Sequence, residues 1–134
     1  MGIELFKAKI GDLVVALYKN QTIIGKIKED VSGKLYIESD GIVAFLDEVP
    51  FISKAAIVLN TIYYCKNGVL HATPIVEGKP DWKSEYIVKT EGMSEEDIND
   101  LKKIARKVNC KLQEEKMLTL TENLTFSEVK INKG

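Results

Sequence analysis

Residues 11–38 read GDLVVALYKNQTIIGKIKEDVSGKLYIE: three apolar stretches, two short polar breaks, and a glycine inside the middle stretch. Residues 12–18 are apolar and suited to a strand. Lys19-Asn20-Gln21 suits a tight turn, because Asn tolerates positive φ. Over residues 22–28, Ile23, Gly25 and Ile27 share one face, while Ile24 and the lysines share the other. That is the period-2 alternation of a strand. Residues 30–33 (DVSG) form a second turn, Leu35 and Ile37 point inward along 34–38, and residues 39–41 (SDG) close the third stretch. Breaks about ten residues apart are the spacing of small barrels and sandwiches. Glycine inside a strand removes a side chain where the strand must coil sharply, so Gly25 predicts a bent meander rather than a flat hairpin.

Past this stretch, residues 42–46 are apolar, and residues 49–52 (VPFI) come after the acidic pair Asp47-Glu48. Residues 55–65 form a long apolar run whose β-branched residues and paired tyrosines favour strand, although Ala55-Ala56 leaves a short helix open. Lys66-Asn67-Gly68 is a turn signal, and residues 69–76 read as a further strand with Pro74 toward an edge. Residues 77–82 (EGKPDW) read as a linker, with Trp82 anchoring the C-terminal tail to the first domain. After the linker, residues 85–90 (EYIVKT) read as a strand. Ser94 is the expected N-cap of a helix whose first turn holds Glu95, Glu96 and Asp97, opposite the positive end of the dipole. Ile98, Leu101, Ile104, Ala105 and Val108 form one apolar stripe, and Asn109 is the expected stop. Strands are expected over 110–115, 117–121 and 125–131, and residues 3–10 read as a helical turn or a strand entry.

The 134 residues are 45% apolar with a net charge of −1, which predicts a folded core rather than disorder. Split after Gly78, the two parts carry 8 Lys+Arg against 9 Asp+Glu, and 11 against 11. Nucleic-acid binding would therefore need a local patch, or repetition in an oligomer. Arg106 is the only arginine, which excludes an arginine-rich recognition surface. Cys65 and Cys110 do not make a disulfide framework, and no signal peptide is recognisable, so reduced thiols in a cytoplasmic protein are expected. The most apolar stretch, residues 41–59, contains Asp47, Glu48, Pro50 and Lys54. Each such charge costs about 2.5–3.5 kcal/mol at a bilayer centre, so no membrane partner is expected.

Residues with chemical potential are few. His71 is the only histidine, and Cys65 and His71 could meet in space as a nucleophile–base pair, although no motif surrounds either. One His and two Cys lack the paired-ligand spacing of a zinc site. Adjacent carboxylates at Asp47-Glu48 and Glu114-Glu115 point to opposite faces of a strand and make no acid–base dyad. No Gly-rich phosphate loop occurs. The expectation is a protein that is not an enzyme, with no cofactor and no metal. Of Tyr63 and Tyr64, one points outward from a strand, where it either packs on a neighbour or a subunit, the commoner case, or stacks on a base.

Several of these motifs together resemble the Sm-like family of small barrels. Gly11, Val14, Leu17 and Asn20 match its opening strand and turn, and TIIGKIKE (residues 22–29) places Gly25 at the family's mid-strand glycine. DVSGKLYIE (residues 30–38) resembles its second turn and third strand, with Asp30 at the usual acid. CKNGVLHA (residues 65–72) resembles its closing motif, with Lys66 standing for the arginine. The strand–helix–strand order of residues 85–131 is similar to the α/β extension of larger archaeal members.

The fold class this implies is mainly β (α+β). An Sm-like or SH3-like small bent barrel over 1–78 precedes an α/β extension with one amphipathic helix over 79–134. The function it implies is a ring-forming homo-oligomer that binds single-stranded RNA around a pore or scaffolds RNA-processing partners, with a further protein partner on the extension. Candidate RNA-contacting residues are Ser32, Lys34, Tyr64, Lys66 and Asn67. The alternative is an SH3-like or PRC-like module that recognises a protein and needs neither ring nor RNA. An enzyme built on Cys65 and His71 comes third.

Overall fold

The computed structural model describes residues 9–112. Strands β1 (Leu13–Tyr18), β2 (Gln21–Glu29), β3 (Leu35–Ser39) and β4 (Ile42–Phe45) form a meander. A 3-10 turn (Leu46–Glu48) then leads into β5 (Phe51–Val58), β6 (Thr61–Lys66) and β7 (Val69–Val76). Two short strands, β8 (Lys79–Pro80) and β9 (Tyr86–Ile87), flank a second 3-10 turn (Trp82–Ser84) and precede the helix α1 (Glu95–Lys107). Among the described residues, all nine strands join one antiparallel sheet, in the order β4-β3-β2-β1-β5-β6-β7-β8, with β9 also on β7. The described residues are thus mainly β with one helix, an open curled sheet.

Turn chemistry explains much of this order. Lys19-Asn20, Asp40-Gly41, Asn67-Gly68 and Glu77-Gly78 each occupy a two-residue hairpin loop with both φ angles positive. Such turns match the right-handed twist of the flanking strands. One turn lacks a sequence signal. The apolar run 55–65 is not one strand but the β5–β6 hairpin, reversed at Leu59-Asn60 with Leu59 at φ 56°. Residues 77–82, expected as a linker, instead form a tight turn and a short strand hydrogen-bonded to β7.

β2 bends as Gly25 predicts. Its first half pairs with β1 from Gln21 to Lys26, and its second half pairs with β3 from Ile27 onward. β5 divides in the same way, Phe51–Lys54 lying on β1 and Ala55–Val58 on β6. Because neighbours on a strand face opposite ways, Val14 and Val15 enter different cores. Val14 and Ala16 pack inside the curled meander with Ile23, Ile27, Ile37 and Leu46. Val15 faces β6, against Ile62 and Tyr64, with Phe51 and Trp82 alongside.

The opposite face of β5–β7 carries Ala56, Tyr63, Leu70 and Ala72, covered by Leu101, Ile104, Ala105 and Val108 of α1. Four of the five residues of the predicted stripe make this buried face, Ile98 being half-buried, and the Ser94 hydroxyl caps the helix by accepting from the Asp97 N–H at 3.2 Å.

The helix ends in a reversal through Asn109 at φ 57°. The Asn109 N–H donates to the Arg106 carbonyl at 3.2 Å and the Cys110 N–H to the Ala105 carbonyl at 2.8 Å, the paired bonds of a Schellman motif. This return brings Cys110 to Cys65 of β6, and the two form a disulfide with Cα atoms 5.4 Å apart. The expectation of two free thiols is corrected here: residues 45 apart in sequence meet only because the helix folds back onto the sheet. Residues 110–112 are irregular rather than strand. The rest of the strand expected over 110–115, those over 117–121 and 125–131, and most of the segment 3–10 lie outside the described residues.

Candidate binding site

β6 directs Tyr64 and Lys66 to the face opposite α1, and the β6–β7 register sets His71 beside Tyr64. Glu85, at the end of the second 3-10 turn, reaches the same place. Its carboxylate accepts a hydrogen bond from the Tyr64 hydroxyl and another from the Lys66 ammonium at 3.0 Å. The phenolic proton is committed to Glu85, so the fully buried Thr73 hydroxyl donates to the Tyr64 oxygen, 2.7 Å away. Burial, and then the hydrogen bond to Glu85, push the Tyr64 hydroxyl well above its ordinary range. Burial also acts to raise Glu85, but hydrogen bonds from Tyr64 and Lys66, with the positive field of Lys66, outweigh it and hold the carboxyl below its usual value. Tyr64 therefore remains a phenol and Glu85 a carboxylate at neutral pH.

A cavity of about 190 Å³ opens beside it, with Val15, Leu17 and Phe51 as apolar wall and Lys66, Asn67 and Glu85 as rim. It is smaller than the roughly 300–1,000 Å³ of small-molecule sites. A second cleft, of about 480 Å³, lies on the other side of Thr22, which lines both. Ile24, Ile42, Pro80 and Trp82 are among its apolar lining, and Asn20, Gln21, Asp40 and Lys79 among its polar lining. It sits at the seam between the curled meander and the β7–β8 hairpin. Trp82 is held there by an edge-on contact with the Tyr64 ring, centroids 6.2 Å apart. The Tyr64 cluster therefore acts as the buttress of the cleft's aromatic wall.

The five residues expected at an RNA site do not converge. Tyr64, Lys66 and Asn67 lie around the smaller cavity, whereas Ser32 and Lys34 lie past the far end of β2. Tyr64 is 1% exposed, so its ring is core and offers no face to a base, which corrects the expectation that it stacks on nucleic acid. Lys66 is paired with Glu85, and Lys34 pairs with Asp47 at 3.6 Å with its ammonium 4.8 Å above the Phe45 ring. Ser32 is bound to Asp30, whose Oδ1 accepts from the Ser32 hydroxyl at 2.7 Å, the Ser32 N–H at 2.8 Å and the Lys34 N–H at 2.9 Å. These bonds, the Ser32 hydroxyl foremost, lower the Asp30 carboxyl below its ordinary value. Asp30 organises its own loop.

Cys65 and His71 face opposite sides of the sheet: Cys65 pairs across strands with Leu70 on the helix face, and His71 with Tyr64 on the other. The Cys65 sulfur is bonded to Cys110, and the His71 Nδ1–H donates to the Val69 carbonyl at 2.8 Å. The two side chains make no nucleophile–base pair. Residues missed by sequence reasoning are Glu85, Asp40 and Pro80, and Trp82 as a cleft wall; the chain's single Trp close to a proline in EGKPDW was their one visible signal.

Fold and site together define a mainly β protein with a half-apolar cleft at the seam of a curled sheet. No family model, curated protein or solved structure matches the chain. Its likeness to Sm-like proteins rests on the motifs alone. Among the described residues, no helix is long and apolar enough to cross a membrane, and no group of His, Cys, Asp and Glu is placed to hold a metal ion.

Proposed function

We propose that this chain is a non-enzymatic protein-interaction module whose cleft between β2 and β8 takes an extended segment of a protein partner. The cleft itself carries this reading: an aromatic and aliphatic wall with amide, carboxylate and ammonium groups at the rim, open enough for a peptide. The engagement of Lys34 and Lys66 in ion pairs and the burial of Tyr64 favour a protein ligand over RNA. A cytoplasmic setting belongs to the same reading.

Trp82 supplies the readout. Peptides selected from a displayed random library on the intact protein are expected to shift Trp82 fluorescence and to lose binding in Trp82→Ala. Asp40→Lys and Lys79→Glu test the rim without touching the core. Selection that enriches no peptide over Trp82→Ala overturns the proposal. Oligo-uridine binding that collapses in Lys66→Glu would favour RNA instead.

The ring-forming, Sm-like reading keeps one specific support, because β4 ends the sheet with an edge free of a strand partner among the described residues. Native mass by light scattering separates the two readings: a ring of several copies supports the Sm-like assembly, a monomer the single module.

A further inference from the structure

We propose that the Cys65–Cys110 disulfide is a reversible latch that holds α1 on the sheet and opens to a dithiol reductant. Three observations carry it. First, the pair is pre-organised by the backbone, since the Schellman bonds of Asn109 and Cys110 aim the second cysteine at the first. Thiols released there stay close enough to pair again. Second, both cysteines are only partly buried, so an exchanging thiol can reach them. Third, the latch closes on a short element at the edge of the fold's last apolar cluster. α1 has 13 residues, a length at which an isolated helix is marginal, and its fully buried contacts come from Leu101, Ile104, Ala105 and Val108. Beneath it lies an apolar sheet face that includes Tyr63, Leu70 and Ala72.

The exchange is balanced. One thiolate of the reductant attacks a cysteine sulfur, forming a mixed disulfide and releasing the other cysteine as a thiolate, which takes a proton. The second thiol of the reductant then displaces the remaining cysteine, which is protonated in turn. Two electrons pass to the protein, Cys65 and Cys110 become thiols, and the reductant becomes a cyclic disulfide. The helix end then loses its covalent tie to β6, and the face beneath it becomes accessible.

The test uses the full chain, first oxidised and then treated with dithiothreitol or reduced thioredoxin under native conditions. Two thiols are expected to appear, and amide exchange over residues 101–110 is expected to accelerate by about tenfold or more. Binding of a hydrophobic dye should rise, and all three changes should reverse with oxidised glutathione. Cys110→Ser should show the fast exchange without any reductant. Thiols that appear only in denaturant make the bond a permanent staple and overturn the proposal. So does a protein that forms no disulfide under oxidant, and so does reduction that leaves helix exchange unchanged. None of these outcomes bears on peptide binding at the Trp82 cleft.

Discussion

A methyl group added at Gly25 would lie 2.5 Å from the Glu38 carbonyl oxygen and 2.8 Å from the Ile37 side chain. The first neighbour is backbone and cannot turn away, so Gly25→Ala forces β2 and β3 apart at the bend. The expected loss is about 1–3 kcal/mol, read as a lower urea midpoint. Tyr64→Phe tests the other crowded residue. It removes the partner of the buried Thr73 hydroxyl and one donor to Glu85, while the ring and its contact with Trp82 remain. A loss of about 1–3 kcal/mol is expected by denaturant titration, the cost of leaving buried polar groups unsatisfied.

Hairpins and helix make separate demands. Four of the two-residue turns place Asn, Asp or Gly in at least one left-handed position, but the β5–β6 turn holds Leu59 there, 92% exposed. A left-handed Leu costs about 1–2 kcal/mol, part of which a glycine returns as unfolded-state entropy, so Leu59→Gly should raise stability by about 0.5–1 kcal/mol in thermal unfolding. At the helix, Ser94→Ala strips the cap from the Asp97 N–H. The expected cost is about 1 kcal/mol, with faster amide exchange in the first turn of α1.

Across the whole molecule, charge is balanced, and pH acts through particular carboxyls. Glu85 and Asp30 are both held below their ordinary values in the folded state. A carboxyl with a depressed folded pKa binds fewer protons folded than unfolded. Its stabilisation is therefore present above the unfolded value, about 4, and is lost as pH falls through the folded one. The urea midpoint should hold near neutrality and fall below about pH 4. Glu85→Gln should start from a lower midpoint and show a shallower acid decline. An equal acid slope in this variant would remove Glu85 from the account.

Local sequence was enough to specify the strands of the opening meander, the bend at Gly25, the turns at residues 19–20, 30–33, 40–41 and 67–68, and the capped, amphipathic helix. Each depends on neighbouring residues: a two-residue side-chain period, a missing Cβ, residues that accept positive φ, a hydroxyl before an acidic first turn. The remaining features came from packing in three dimensions. β5 shows no single side-chain period because its two halves pair with different strands and face different cores, so nothing in the run 55–65 marks where it ends. Tyr63 and Tyr64 become distinguishable only once the sheet's two faces have acquired α1 on one side and β1 on the other. The Cys65–Cys110 bond, the Tyr64–Glu85–Lys66 cluster and the cleft walled by Trp82 all join residues far apart in the chain. Their partners are chosen by contacts across the curled sheet, and a run of adjacent residues does not encode that choice.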